Sequence, residues 1–385
     1  MMNAKSSARN VVSRAKLDVY PMHDTKRSTD EGQIIQTVLG QIQPDKLGAT
    51  MTHEHLLIDI STMYTLQNTA TGREFFEKPV SLDTLGRIRH YLFPNADNAR
   101  LTNVDTAIKE AMLFKRHGGN TLVDATSIGI GRDPVGLAQI SLATGINVIM
   151  GSSYYVSESH PKELHDKSVS DIAEGIAVDI VSGADGTSIR AGIIGEVGCS
   201  WPLNAAEIKV LKASARAQML TGAPLLIHPG RDEAAPMEII NILKEAGANL
   251  NRTIMSHIDR TVFEKDTLHQ IADSGCFLEW DLFGREKSVY IGNPDIDMPS
   301  DAKRIDDIAW TASQGYGNQI LLSMDICTKE RLETYGGHGY YYILAHIVPR
   351  MKARGVGDES IHDFLVENPK AALSFVPQGH AGQKI

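Results

Sequence analysis

The chain runs to 385 residues, 42% hydrophobic and 22% charged, with a formal net charge of −9, which suits one large globular α/β domain or two smaller ones. No apolar run reaches the roughly 18 residues that a membrane span needs, and no basic stripe is present to neutralise phosphates. Membrane and nucleic acid are therefore excluded as partners, leaving small-molecule chemistry as the expectation, with a homodimer as the protein assembly allowed for.

Residues 1–30 are polar, lack a hydrophobic pattern and are read as a flexible tail. Lys5, Arg9, Arg14 and Lys16 precede the first acid, Asp18, a charge order that also fits a mitochondrial presequence; the solvated tail of a cytoplasmic protein is the preferred reading. A single domain is expected over 31–376, opening with a short β-rich segment, and a C-terminal tail over 377–385. Cys199, Cys276 and Cys327 are odd in number and widely spaced, so they make no disulfide framework and suit a reducing compartment.

The first informative element is GATMTHEH, residues 48–55. Its β-branched Thr50 and Thr52 and its leading Gly predict a strand. Side chains alternate along a strand with period two, so His53 and His55 face the same way; on a helix they would diverge by about 200°. A lone HxH pair is weak evidence for a metal, and the remaining elements must decide.

From Thr121 onward, short apolar runs alternate with amphipathic stretches, the pattern of successive βα units on a parallel sheet. The predicted strands are TLVDAT (121–126), NVIMGSSYY (147–155), AGIIGEVG (191–198), PLLIHPG (224–230), TIMSHID (253–259), FLEWDL (277–282) and QILLSMD (319–325). With the opening strand they number eight, which predicts a (β/α)8 TIM barrel. The alternative, a doubly wound open sheet, lacks a GxGxxG after its first strand. His55, Glu196, His228, His257, Asp281 and Asp325 lie at or just after the C-terminal ends of these runs, which in a barrel converge on the face where active sites are built. Four imidazoles (His53, His55, His228, His257) and two carboxylates (Glu196, Asp325) suit two divalent metal ions, Zn2+ first, with Mn2+ or Co2+ as substitutes. Six monodentate groups satisfy two ions only through a bridge, for which Glu196 and a shared hydroxide are expected. Asp325 can bind one ion and also accept a proton, making it the expected catalytic residue.

At these residues the chain resembles the phosphotriesterase family of the amidohydrolase superfamily, from about Gln36 to Phe375. The segments that carry the likeness are THEHL, GIIGEVGCSWPL, IHPGR, SHIDRT, EWDLFG, DIDMP, YGGHGY and VENPK. The resemblance implies that His53, His55 and Asp325 bind one metal, that His228 and His257 bind the other, and that the strand-four residue bridges both. Many members of the wider family carry a carbamylated Lys there, whereas this chain has Glu196, a shorter arm. Asp259 and Arg260 after His257, and Leu282 after Asp281, also depart from the proton relay of the organophosphate-hydrolysing members.

The animal proteins in the family to which the chain is most similar imply an amidase that cleaves N-acetyltaurine, and by extension other N-acyl taurines or N-acetyl amino acids, to acyl acid and amine. The alternatives are a lactonase or carboxylesterase using the same metals, or a barrel that keeps metals as a ligand-binding protein without turnover. A small anionic N-acyl amine needs cationic or amide donors beside the metals. Arg231, His338 and Tyr155 are the candidates, with pairing of Arg231 to Asp232 or Glu233 as the competing account of the first. The stretch from Leu57 to about Thr102 is long for a βα connection, and its Met63, Tyr64, Phe75 and Phe76 either cover the pocket or pack among themselves.

Overall fold

The computed structural model describes residues 32–377, apart from 65, 67, 92–93, 287–289, 291–292 and 294. The expected tails fall outside the described residues, Pro377 excepted. The domain opens with an antiparallel hairpin, β1 (Ile35–Thr37) and β2 (Gly40–Ile42), with Gly40 at φ +123 in the turn. The first barrel strand, β3 (Thr50–Glu54), follows; a long excursion contributes β4 (Ile58–Asp59) and β5 (Arg100–Leu101), paired antiparallel. Seven strands complete the barrel: β6 (Thr121–Asp124), β7 (Asn147–Ser152), β8 (Ile193–Gly198), β9 (Leu225–His228), β10 (Thr253–Met255), β11 (Phe277–Trp280) and β12 (Ile320–Leu322).

All eight are parallel and lie in chain order from β3 to β12, as a (β/α)8 barrel requires. Closure between β12 and β3 is made by the Asp325 N–H donating to the His53 carbonyl at 3.1 Å and by the His53 N–H donating to Ser323 Oγ at 3.0 Å. The Glu54 carboxylate reinforces the seam, accepting from Ser323 Oγ and from the Met324 and Ile326 N–H groups at 2.7–2.9 Å.

Alternation along the strands sorts side chains into two cores. Val123, Ile149, Ile193, Leu226, Ile254, Phe277 and Leu321 fill the interior, together with Ile35, Leu47 and Leu373. Their strand neighbours Leu122, Val148, Ile194, Leu225, Met255, Leu278 and Ile320 pack in the outer core. Fully burying each such aliphatic side chain contributes about 1.5–3 kcal/mol.

The connecting helices begin and end where the sequence places caps. Asn204 and Glu207 form a capping box on Ala205–Thr221, which stops at Gly222 with φ +76, and Ser168 with Asp171 does the same for Val169–Val181. Glu207 also accepts from the Ser157 and Ser200 N–H groups at 3.1 Å, tying two rim loops to one helix start. Among the described residues, no helix is long and apolar enough to cross a membrane.

All eight strands are shorter than the expected ranges, and in two of them a left-handed residue gives the reason. TIMSHID is extended only to Met255, because His257 is left-handed (φ 56, ψ 34) and starts a one-turn helix, Ile258–Thr261; QILLSMD likewise stops at Leu322 before Asp325, which has φ 48.

Candidate metal centre

Two bulges aim the site. Between β3 and β6, Met51 pairs with Leu122 and Glu54 with Asp124, three residues against two, so the extra residue turns His53 inward although Met51 lies in the outer core. Between β8 and β9, Ile194 pairs with Leu225 and Val197 with Ile227. Regular alternation from the interior Ile193 would send Glu196 outward; the extra residue reverses this. Gly195 is required at that step, with φ +134 and a position where any Cβ would lie 2.3 Å from the Leu226 carbonyl oxygen.

His53, His55, Glu196, His228, His257 and Asp325 come together, each at most 8% exposed. Glu196 is central. Its Oε2 lies 3.4 Å from His53 Nε2 and 2.8 Å from His228 Nδ1, and its Oε1 lies 3.2 Å from His55 Nε2. Asp325 Oδ1 is 3.3 Å from His55 Nε2 and 4.0 Å from His53 Nε2. His257 Nε2 is 2.8 Å from His228 Nδ1 and 3.9 Å from Glu196 Oε2. Thus His53 and His55 do face the same way. Two overlapping groups, His53 with Glu196 and His257, and His53 with His55 and Asp325, each bring one ligand atom per residue within 4.8 Å of the others.

The opposite ring nitrogens are held from behind. Asp281 Oδ1 accepts from His257 Nδ1 at 2.7 Å, and its Oδ2 lies 3.0 Å from His53 Nδ1. Thr126 Oγ1 is 2.9 Å from His55 Nδ1. Arg331 ties the rim together, donating to the Met324, Asp325 and Phe283 carbonyls at 2.7–3.2 Å. His257 and Asp325 both hold left-handed backbones, the kind of strain that clusters at functional sites.

The electrostatics call for positive charge. Burial opposes protonation of His53 and His55, but Glu196 beside the first, and Asp325 and Glu196 beside the second, outweigh it; His53 is raised well above 6.5 and His55 to about 9. His257 is raised by Asp281 against its burial. His228 is lowered, by burial and then by the His257 charge. Burial would raise Glu196 and Asp325, yet the surrounding imidazoles hold both below the ordinary carboxylate range.

These residues fit a metal. His53 Nε2 is fully buried with no hydrogen-bond partner, a costly state for a polar atom, and it points at two carboxylates in a set of borderline-soft and hard donors suited to a divalent cation.

Arg231 does not pair with its acidic neighbours: Asp232 accepts from the Ala234 N–H, and Glu233 from the Phe263 and Glu264 N–H groups. Its Nε donates instead to the Tyr290 hydroxyl at 2.7 Å. The Tyr155 hydroxyl lies 3.3 Å from His228 Nε2. His338 is exposed and stacked on Tyr342 at 4.2 Å between ring centroids. In the long excursion, Phe75 is buried under the Arg87 guanidinium at 4.1 Å, while the Tyr64 phenol is pushed up by burial, with the Arg285 charge opposing. Sequence reasoning missed Thr126 and the orienting role of Asp281. Both follow apolar runs, as the ligand candidates do, so the strand-end rule could have found them.

A cation-holding cluster in the mouth of a parallel barrel marks the class of metal-assisted hydrolases and their metal-binding relatives. The chain belongs to the Phosphotriesterase family, whose family model matches residues 33–373, and it is a hydrolase. It is 44% identical over 342 residues to the N-acetyltaurine hydrolase of Homo sapiens, covering 89% of this chain and 98% of that one. Among solved structures it is similar to a resiniferatoxin-binding protein from Rhodobacter sphaeroides, with TM-score 0.85, 36% identity, and 88% and 94% of the two chains covered. A lactonase from Listeria monocytogenes matches with TM-score 0.71 and 25% identity over 89% and 99% of the two chains.

Proposed function

We propose that this chain is a binuclear-metal amidohydrolase that cleaves N-acetyltaurine to acetate and taurine. The reading is carried by the completeness of the inward-facing donor set in a chain 44% identical to an N-acetyltaurine hydrolase. His53, His55 and Asp325 would hold one ion and His228 and His257 the other, with Glu196 between them; zinc suits this donor set. When bound, the pair supplies Lewis acidity to the scissile carbonyl and makes water nucleophilic near neutral pH.

The remaining steps belong to the chain itself. Asp325, held ionised by His55, accepts a proton from the attacking water and returns it to the departing amine, which as a free anion would leave very poorly. One water is consumed, the C–N bond breaks, and acid and amine result without an acyl adduct on any side chain. Arg231 faces the acid group at the amine end, and Tyr155 lines the wall beside His228. His338 ranks below both because it stacks on Tyr342 instead of facing the cluster. Three free cysteines suit a reducing, cytoplasmic setting.

The similar fold of a lactonase keeps a second reading in view. Elemental analysis together with product release from N-acetyltaurine, γ- and δ-lactones and a phosphotriester separates the two. Two divalent ions per chain and the highest kcat/KM on the amide are expected, with a loss of about 10² or more in kcat for Asp325→Asn. Preference for a lactone, or a metal count of one or none, would overturn the reading.

A further inference from the structure

Beside the metal centre, three guanidiniums surround one phenol. Cζ of Arg231, Arg260 and Arg285 lies 5.7, 6.0 and 5.8 Å from the Tyr290 ring centroid. They arrive from three rim segments, after β9, β10 and β11 respectively, and the parallel pairing of these neighbouring strands brings them together. Arg260 is 2% exposed and the other two are half-buried. Two other arginines with buried side chains are matched by acids, Arg304 by Asp259 and Asp301 and Arg132 by Asp179 and Asp185, while Arg331 spends its donors on three backbone carbonyls. Among the described residues, no carboxylate comes within ion-pair distance of Arg231, Arg260 or Arg285. Burying like charges without counterions is costly, and the fold sustains it here.

The arrangement is built. Arg260 donates to the Pro229 carbonyl at 3.1 Å and to Thr261 Oγ1 at 3.0 Å. Asn293 Nδ2 donates to the Arg231 carbonyl at 3.2 Å. The Arg285 carbonyl accepts from Arg304 at 3.0 Å, and Arg304 is itself fixed by Asp259 at 2.6 Å. The cluster also abuts the reacting centre, with a terminal nitrogen of Arg260 3.2 Å from His228 Nε2.

We propose that Arg231, Arg260 and Arg285 form one cradle for the acid group of the substrate, and that three guanidiniums select a three-oxygen sulfonate over a two-oxygen carboxylate. The choice of sulfonate rests on the function proposed above; the cradle rests on the arginines alone. Charge-assisted contacts from planar guanidinium forks supply the recognition, and the Tyr290 hydroxyl holds an oxygen's place at Arg231. In keeping with three uncompensated cations, Tyr290 is lowered to about 8, burial pushing it up and Arg260, Arg231 and Arg285 outweighing that.

The test uses the metal-loaded full chain with propane-1-sulfonate and butyrate, two acids without a scissile bond. Titration calorimetry is expected to show the sulfonate bound about tenfold or more tighter, the worth of one charge-assisted contact. Arg285→Gln, whose side chain makes no hydrogen bond among the described residues, and Arg231→Gln should each weaken sulfonate binding about tenfold or more. An ultraviolet phenolate titration should show one tyrosine step near pH 8, absent in Tyr290→Phe and moved upward by saturating sulfonate. Equal affinity for the two acids, or variants that bind the sulfonate as tightly as the parent protein, would overturn the cradle. If the sulfonate binds as expected while N-acetyltaurine is not hydrolysed, the cradle stands and the function proposed above falls.

Discussion

Asp281 offers the sharpest test of how the candidate metal ligands are aimed. One carboxylate faces Nδ1 of both His257, at 2.7 Å, and His53, at 3.0 Å, and also accepts the His257 backbone N–H at 3.1 Å. It thereby fixes the tautomer with a proton on Nδ1 in both rings and leaves both Nε2 lone pairs facing into the cluster around Glu196 and His228. Asp281→Asn preserves shape but turns one oxygen into an NH2 donor. A donor facing Nδ1–H is repulsive, so one imidazole must move its proton to Nε2 and withdraw its lone pair. Losing one such orienting contact costs about 10- to 100-fold in metal affinity. Because Asp281 serves two ligands, the expected loss runs from about tenfold to about 10⁴-fold, or roughly 1.4 to 5.6 kcal/mol at 1.4 kcal/mol per decade. Competition against a chromogenic chelator measures this directly, with Ser256→Ala as comparison, since Ser256 Oγ lies 3.2 Å from His53 Nδ1 and touches only that ring. Ser256→Ala should lose less than Asp281→Asn. An Asp281→Asn protein that folds and holds both ions with parental affinity would refute the argument.

Two further perturbations probe the strand geometry and the charge of the site. Gly195→Ala places a Cβ 2.3 Å from the Leu226 carbonyl in a φ +134 conformation; it should cost at least about 1–3 kcal/mol and turn Glu196 out of the site, so parental melting temperature and metal content together would contradict the bulge account. In protein stripped by chelator, His55 is raised to about 9 from an unfolded value near 6.5. Its stabilisation is therefore fully present below about pH 6.5 and lost as pH rises through about 9. Metal must displace that proton: calorimetry at pH 7.5 in buffers of different ionisation enthalpy should show at least one proton released per chain, falling toward none above about pH 10, and no release at pH 7.5 would sink the assignment of His55 as a ligand.

The barrel was legible because its signal is repeated: each of eight apolar runs is bounded by a helical stretch, and parallel strands buried on both faces need such runs. The positions of the metal-binding candidates were legible for the same reason, since a polar residue ending an apolar run on strand after strand is hard to explain singly. The aiming of those residues was not. A bulge inserts one residue without altering the apolar character of a strand, so period-two reasoning from Ile193 sends Glu196 to the wrong face, and only the pairing of Ile194 with Leu225 and Val197 with Ile227 reveals the reversal. Strand ends were overextended at His257 and Asp325 because a left-handed residue leaves no mark in hydropathy. Least legible was the arginine cluster. Arg231 stood out beside HPG and its local acids supplied a plausible partner, but those acids serve backbone N–H groups, and its true company, Arg260 and Arg285, lies on two other connections. Residues on one strand are related by a period that a sequence displays, whereas residues on three rim loops are related only through the pairing of the strands that carry them. On the function proposed above, the chemistry of bond cleavage therefore resides in positions that can be read, and selection of the substrate in positions that must be seen.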